Sequence, residues 1–187
     1  MTTESERSTV NGIDVTALRE VISQVKADPS VGKTRWRVTS QWCGGTRSDH
    51  HVDGVDIGGQ KIDRKFTIQI DEPRELLGGD QFANPQEYLL AATNACMMVG
   101  YATSAAVMGV TLTKLELEIM GDIDLRGFLD IDRSVAAGYK RLHYIVRIAG
   151  DGTPEQFEKM HELVQRTSPN YYNMSKKIEL TSELLVG

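Results

Sequence analysis

Cysteine is scarce in this 187-residue chain: only Cys43 and Cys96 occur, too few for a disulfide framework. A basic surplus is missing as well. Twenty-one Lys and Arg face 26 Asp and Glu, giving a net charge of −5 and a pI near 5.4. Phosphates would therefore meet no excess of cations, and a nucleic-acid partner is not expected. The basic clusters at Lys61–Lys65 and Lys140-Arg141 have acidic neighbours and read as solvated faces. Met1–Arg7 is polar and mixed in charge with no apolar run behind it, so a secretory leader is not expected. A cytoplasmic, reducing setting is then the default, in which a free cysteine persists as a thiol. Phosphate-loop, serine-triad and zinc-ligand spacings are missing too, so the sequence calls for no cofactor and no metal.

One stretch lacks charge altogether. From Tyr88 to Thr113 no Asp, Glu, Lys or Arg occurs, which is long enough to cross a bilayer. The stretch is rich in Ala and Gly, carries Thr93, Asn94, Thr103 and Ser104, and has no flanking basic residues or aromatic belts. A helix apolar all round is also the mark of a buried central helix. The stretch therefore reads as a soluble core helix, with no membrane partner.

Hydrophobic residues make up 40% and charged ones 25%, ordinary for a globular protein within the single-domain range. Residues 1–11 read as a flexible tail, and 12–187 as a single domain. Val15, Leu18, Val21, Ile22 and Val25 form the apolar stripe of a helix over residues 14–27, stopped by Asp28-Pro29. Such a helix needs a surface to cover, on its own subunit or on a second one. Period-two alternation predicts strands over residues 34–70: Thr34–Cys43, a Gly44-Gly45 turn, a return from Thr46 to Val52, and Lys61–Ile70. Pro85 at a favoured first position and Asn84 as cap begin a central helix over 85–109. The C-terminal half, 112–187, repeats the logic with strands at Lys114–Ile123 and Lys140–Ala149. A Thr153–Gln156 capping box then starts a helix to about Thr167, stopped by Ser168-Pro169, and a closing strand runs from Lys177 to Val186. Asp124–Gly138 reads as a loop. The class is α+β, with helices packed on antiparallel sheet.

Cys96 lies inside the central helix. Cysteine is among the most buried residue types and can simply fill space. A reactive role needs a cation to hold the thiolate, which is the nucleophile. A mid-helix position gains little from the helix dipole, which fades after the first turn, so the cation must come from elsewhere. Arg47, just after the glycine turn, is the best supplier, because a hairpin tip can reach over a helix; taken alone it equally reads as a surface charge.

The run Asn84-Pro85-Gln86-Glu87-Tyr88-Leu89-Leu90-Ala91-Ala92-Thr93-Asn94-Ala95-Cys96 resembles the NP-E-x-L-x-A-A-x-x-A-C signature of the osmotically inducible protein C and organic hydroperoxide resistance (OsmC/Ohr) family. The hairpin Cys43-Gly44-Gly45-Thr46-Arg47 is similar to the family's glycine turn and arginine, and Ser168-Pro169 falls where the family has Cys-Pro. The order of elements agrees from about Thr34 onward. The resemblance implies an intertwined homodimer, with two long central helices packed against six-stranded sheets, that reduces organic hydroperoxides or hydrogen peroxide. It also implies that Cys96 is the peroxidatic cysteine, that Arg47 holds its thiolate, that a glutamate after the proline supports the arginine, and that a second cysteine resolves the sulfenate.

Two positions depart from that pattern. The resolving cysteine is Ser168 here, and the glutamate is Gln86, with Glu87 one residue later. In a regular helix Glu87 would lie about 180° around from Cys96 and roughly 13 Å along the axis, too far to touch the thiol though not to meet Arg47. A one-cysteine cycle completed by an external thiol reductant remains open. Cys43 reads either as packing or as the resolving partner. Met97, Met98, Tyr101 and Cys43, with Tyr171 or Tyr172, are the expected pocket residues, favouring organic hydroperoxides. His50-His51 point to opposite faces of a strand and make no metal clip, and His143 and His161 read as surface or core. The competing reading is a non-enzymatic dimer that binds an apolar small molecule in the same pocket. A third is an interaction protein that uses its N-terminal helix.

Overall fold

The computed structural model describes residues 9–187; most of the expected tail, residues 1–8, lies outside them. The chain divides into two compact units, Met1–Ala91 and Ala92–Gly187.

In the first unit, a strand occupies Thr9–Val10, within the residues 1–11 expected as a tail. Strands β1 (Thr9–Val10) and β2 (Ile13–Asp14) pair across Asn11 and Gly12, both at positive φ, as a two-residue hairpin turn requires. The Asp14 side chain then accepts from Ala17 N at 2.9 Å and caps α1 (Val15–Ala27). Val15 is buried, whereas Val21 and Ile22 of the same stripe stay exposed.

The expected single strand over Thr34–Cys43 is two: β3 (Thr34–Trp36) and β4 (Thr39–Trp42). They follow one another along β5 (Ser48–Ile57), β3 opposite Ile57–Val55 and β4 opposite His51–Ser48. The break at Arg37-Val38 faces the point where β5 shifts register against its other neighbour, β6 (Gln60–Ile70). A bulge there bends the strand, and one straight edge strand cannot follow it.

The second unit is built on α2 (Pro85–Met108), whose first turns belong to the unit before. It is the one helix among the described residues long and apolar enough to cross a membrane, yet Met97, Tyr101 and Ala105 are fully buried in a core with Val110, Met160 and Val164. Strands β7 (Leu112–Met120) and β8 (His143–Gly150) pair antiparallel. They add Leu115, Leu117, Tyr144, Val146 and Ile148 to that core, while Glu116 and Glu118 point to solvent, as period-two alternation demands. Helix α4 (Pro154–Thr167) starts with the anticipated capping box: Thr153 N donates to Gln156 Oε1 at 2.8 Å and Gln156 N to Thr153 Oγ1 at 3.3 Å. It runs close to α2 at Gly100, where a Cβ would sit 3.1 Å from Val164.

Three further differences lie in the second unit. A short helix, α3 (Leu125–Phe128), interrupts the expected loop over Asp124–Gly138. Ser168-Pro169 ends α4 but at once begins α5 (Pro169–Ser175). Residues 177–187 form no strand, and Leu180, Leu184 and Leu185 are exposed. A closing strand needs an edge to pair with, and alternation in sequence supplies a face without a partner. The class is α+β with antiparallel sheets.

Candidate functional site

In the second unit, Cys96 is half-buried on α2. The Ser168 hydroxyl donates to its sulfur at 3.4 Å. Ser168 is buried, and three bonds hold it in place. Its amide donates to Val164 O at 2.9 Å, closing α4; its Oγ accepts from Tyr171 N at 3.4 Å, opening α5; and Asn170 Nδ2 donates to Ala92 O at 2.9 Å, tying α5 to the helix turn before Cys96. Serine N-caps because its short side chain reaches the amides of the next turn. Here the same oxygen also faces a thiol 72 positions away.

The expected wall residues divide. Met97 and Tyr101 are fully buried in the core, Met98 is half-buried, Tyr171 stacks edge-on against Tyr144 at 6.1 Å, and Tyr172 is exposed. Thr93 and Met97, flanking Cys96 on the helix, join Leu142, Tyr144, Tyr171 and Met174 around a concavity of about 360 Å3. Tyr101 instead faces a second hollow, of about 630 Å3, between β8 and α4. Its hydroxyl meets His161 Nδ1 at 2.5 Å, and Gln165 Nε2 bridges His161 Nε2 and Tyr144 Oη at 3.0 and 2.7 Å. Burial pushes the Tyr101 hydroxyl well above the ordinary phenol range, and does the same less strongly to Tyr144. This polar chain escaped sequence reasoning, because its members come from three elements and only His161 and Gln165 share a helical spacing.

In the first unit, Cys43 to Arg47 form a closed turn. Cys43 N donates to Arg47 O at 2.9 Å and Arg47 N to Gly44 O at 3.1 Å. Gly44 and Gly45 both sit at positive φ, a region that L side chains rarely adopt. Cys43 is exposed, its sulfur 3.6 Å from Gln41 O. The Arg47 guanidinium lies over the Phe82 ring, 5.7 Å from its centre. Gln86 is exposed. Glu87 closes a reciprocal cap with Asn84: Asn84 N donates to Glu87 Oε2 and Glu87 N to Asn84 Oδ1, each at 2.8 Å. Asn84 Nδ2 also donates to Glu72 Oε2 at 3.3 Å.

A residue overlooked in the sequence anchors this region. Asp71 is completely buried, and its carboxylate accepts from Thr46 Oγ1 at 2.7 Å and from the amides of Glu72, Gly79 and Gln81 at 2.9, 3.0 and 3.3 Å. These donors, Thr46 foremost, hold the acid below the usual carboxylate range against the opposing effect of burial. The only sequence cue was an aspartate ending a strand just before Pro73 and Gly78-Gly79. The histidines of the sheet are occupied by hydroxyls, His50 by Ser40 and Ser48 and His51 by Thr67. Among the described residues no group of three His, Cys, Asp or Glu is placed to hold a metal.

No curated protein sequence matches the chain. Solved structures do. An OsmC-like protein from Mycoplasma pneumoniae superposes with a TM-score of 0.59 at 14% identity, over 75% of this chain and 87% of that one. An OsmC-like protein from Vibrio cholerae O1 biovar eltor does so with a TM-score of 0.54 at 16% identity, over 81% and 99%. At such identities the likeness is one of fold. The family model for OsmC-like proteins matches residues 78–183, more than half of the sequence, and covers both the helix that carries Cys96 and the serine that meets it. The chain belongs to the OsmC-like protein family.

Proposed function

We propose that this protein is a thiol-dependent reductase of organic hydroperoxides, with Cys96 as its nucleophile and an external thiol as its reductant. The observation that carries the reading is the Ser168 hydroxyl donating to Cys96 Sγ at 3.4 Å. A cysteine that only fills space has no need of a buried donor aimed at its sulfur, and hydrogen bonds to an ionised partner are about twice as strong as neutral ones. Arg47 is the cation assigned to the thiolate, with Gln86 and Glu87 as its neighbours in the family pattern. The hollow at Thr93, Met97 and Tyr171, lined also by Leu142, Met174, Lys140 and Arg141, offers apolar wall to an alkyl or aryl chain.

In the first step the Cys96 thiolate attacks the outer oxygen of the hydroperoxide. The O–O bond breaks, sulfur gains the hydroxyl as a sulfenic acid, and the leaving alkoxide takes a proton to depart as an alcohol. A first external thiol then displaces water from the sulfenic sulfur. A second releases the mixed disulfide, so two thiols are oxidised for each hydroperoxide reduced. Ser168 has no sulfur to offer, so this cycle does not pass through an intramolecular disulfide at that position.

The working form is a homodimer in a cytoplasmic, reducing setting, with residues 12–187 acting as one OsmC-like domain. Val99 on the core helix, Trp42 and Phe66 on the sheet and the apolar C-terminal segment are exposed at 64, 74, 56 and up to 90%. Exposed apolar side chains of this kind are what a second subunit would cover. The second reading, a dimer that binds an apolar small molecule without chemistry, draws on the same 360 Å3 hollow. Turnover of cumene hydroperoxide with a dithiol reductant separates the two. The enzyme reading expects consumption that Cys96→Ser abolishes, and the binding reading expects none above the uncatalysed rate.

A further inference from the structure

A guanidinium at a hairpin tip serves a thiolate only if it is held in one place. The two glycines before Arg47 give the turn its shape but little stiffness. Beyond the turn's own closing bonds, Thr46 Oγ1 reaches the buried carboxylate of Asp71 at 2.7 Å. The other oxygen of that carboxylate accepts from Gly79 and Gln81, and the residue after Gln81 is Phe82, whose ring lies under Arg47. One acid therefore grips the segment that carries the cation and the segment that carries its seat.

We infer that Asp71 is a positioning residue for Arg47, acting through the Thr46 hydroxyl on one side and the Gln81-Phe82 backbone on the other. As a contribution to catalysis, this rests on the assignment of Arg47 to the Cys96 thiolate. The chemistry of the acid suits the task. Oδ1 takes Thr46 and Glu72, and Oδ2 takes Gly79 and Gln81, so the four acceptor positions of a carboxylate are filled and both oxygens are fixed. A side chain at Gly79 would bring its Cβ to 2.9 Å from Asp71 Oδ2, so the glycine is what allows the loop to approach.

The test reads Arg47 directly. In the full-length protein, the side-chain NMR signals of Arg47, assigned through Arg47→Lys, should show a ring-current displacement that Phe82→Leu removes. Thr46→Val and Asp71→Asn should bring the same signals to the Phe82→Leu position, while Thr46→Ser, which keeps the hydroxyl, preserves the wild-type position. Retention of the wild-type displacement in a cooperatively folded Thr46→Val protein overturns the inference, as does its absence from the wild type. Should Asp71→Asn fail to fold, Thr46→Val still decides. A second arm, in a Cys43→Ser background, follows alkylation of Cys96 by iodoacetamide. Thr46→Val should slow it about fivefold at pH 7, the size of one lost hydrogen bond, and should have no further effect once Arg47 is alanine. If Arg47 comes loose while alkylation is unchanged, the positioning role stands and the assignment of Arg47 to Cys96 falls.

Discussion

Ser168 Oγ donates to Cys96 Sγ across 3.4 Å, although the two residues stand 72 apart in sequence. Ser168, which the sequence resemblance sets where a second cysteine would stand, thus presents a hydroxyl to the Cys96 sulfur. Restoring the sulfur should restore the internal route. Ser168→Cys, treated with one equivalent of cumene hydroperoxide, should lose about two mass units as a disulfide forms, which needs Cα atoms within about 7 Å. Peptide mapping should then find Cys96 cross-linked to the thiol introduced at position 168. A variant whose Cys96 is oxidised to the sulfenic or sulfinic acid yet stays unlinked would show that the contact is not close enough for exchange.

If Arg47 serves the thiolate, Arg47→Ala should slow alkylation of Cys96 by iodoacetamide near neutral pH by about tenfold, the effect of losing an interaction of some 1.4 kcal/mol. The rate should recover at alkaline pH, where the thiolate forms unaided. A pH profile superposable on wild type would make Arg47 a residue that merely stacks on Phe82.

Asp71 predicts a signature in acid. Its folded-state pKa lies below the ordinary value of 3.8, so it stabilises the fold fully above that value. The contribution is lost as pH falls through the depressed folded value, where the carboxylate must accept a proton and release its donors. Thermal melts of Asp71→Asn should therefore be lower than wild type at neutral pH and converge with it as the pH falls through the depressed folded value. A constant difference between the two proteins across the whole range would remove the carboxylate's charge from the account.

Assembly is measurable without activity. Light scattering at micromolar concentration should return twice the chain's 20.8 kDa, since isologous dimers are the commonest way to cover such faces. A mass of one chain throughout the dilution series would leave the exposed Val99 and Trp42 without a partner.

The sequence was most legible where local signals act over one or two turns. Asn84, Pro85 and the Thr153–Gln156 box mark helix starts that the structure places within a residue, because a cap is satisfied by its own neighbours. Cys96 stood out through its family signature. Long-range satisfaction was invisible. Nothing in the neighbourhood of Asp71 announces that its donors come from residues 46, 72, 79 and 81, and nothing near Tyr101 points to His161. The split of Thr34–Cys43 follows from a bulge in β5 and β6 that the edge strand's own alternation does not encode. Lys177–Val186 alternates as a strand should, yet pairing depends on an edge the segment cannot specify.

The central claim is that Cys96 is oxidised by hydroperoxide and reset from outside the chain. Intact-mass analysis with peptide mapping, after graded cumene hydroperoxide without reductant, tests it most directly. The account predicts stepwise addition of about 16 and then 32 mass units at Cys96 alone, the sulfenic and sulfinic acids. It also predicts reversal of the first step by a small dithiol, and a Cys43→Ser variant indistinguishable in turnover. A Cys43–Cys96 linked peptide would replace the external thiol with an internal one. An unmodified Cys96 at every dose would contradict the enzyme outright and leave the hollow at Met97 and Tyr171 as a binding site.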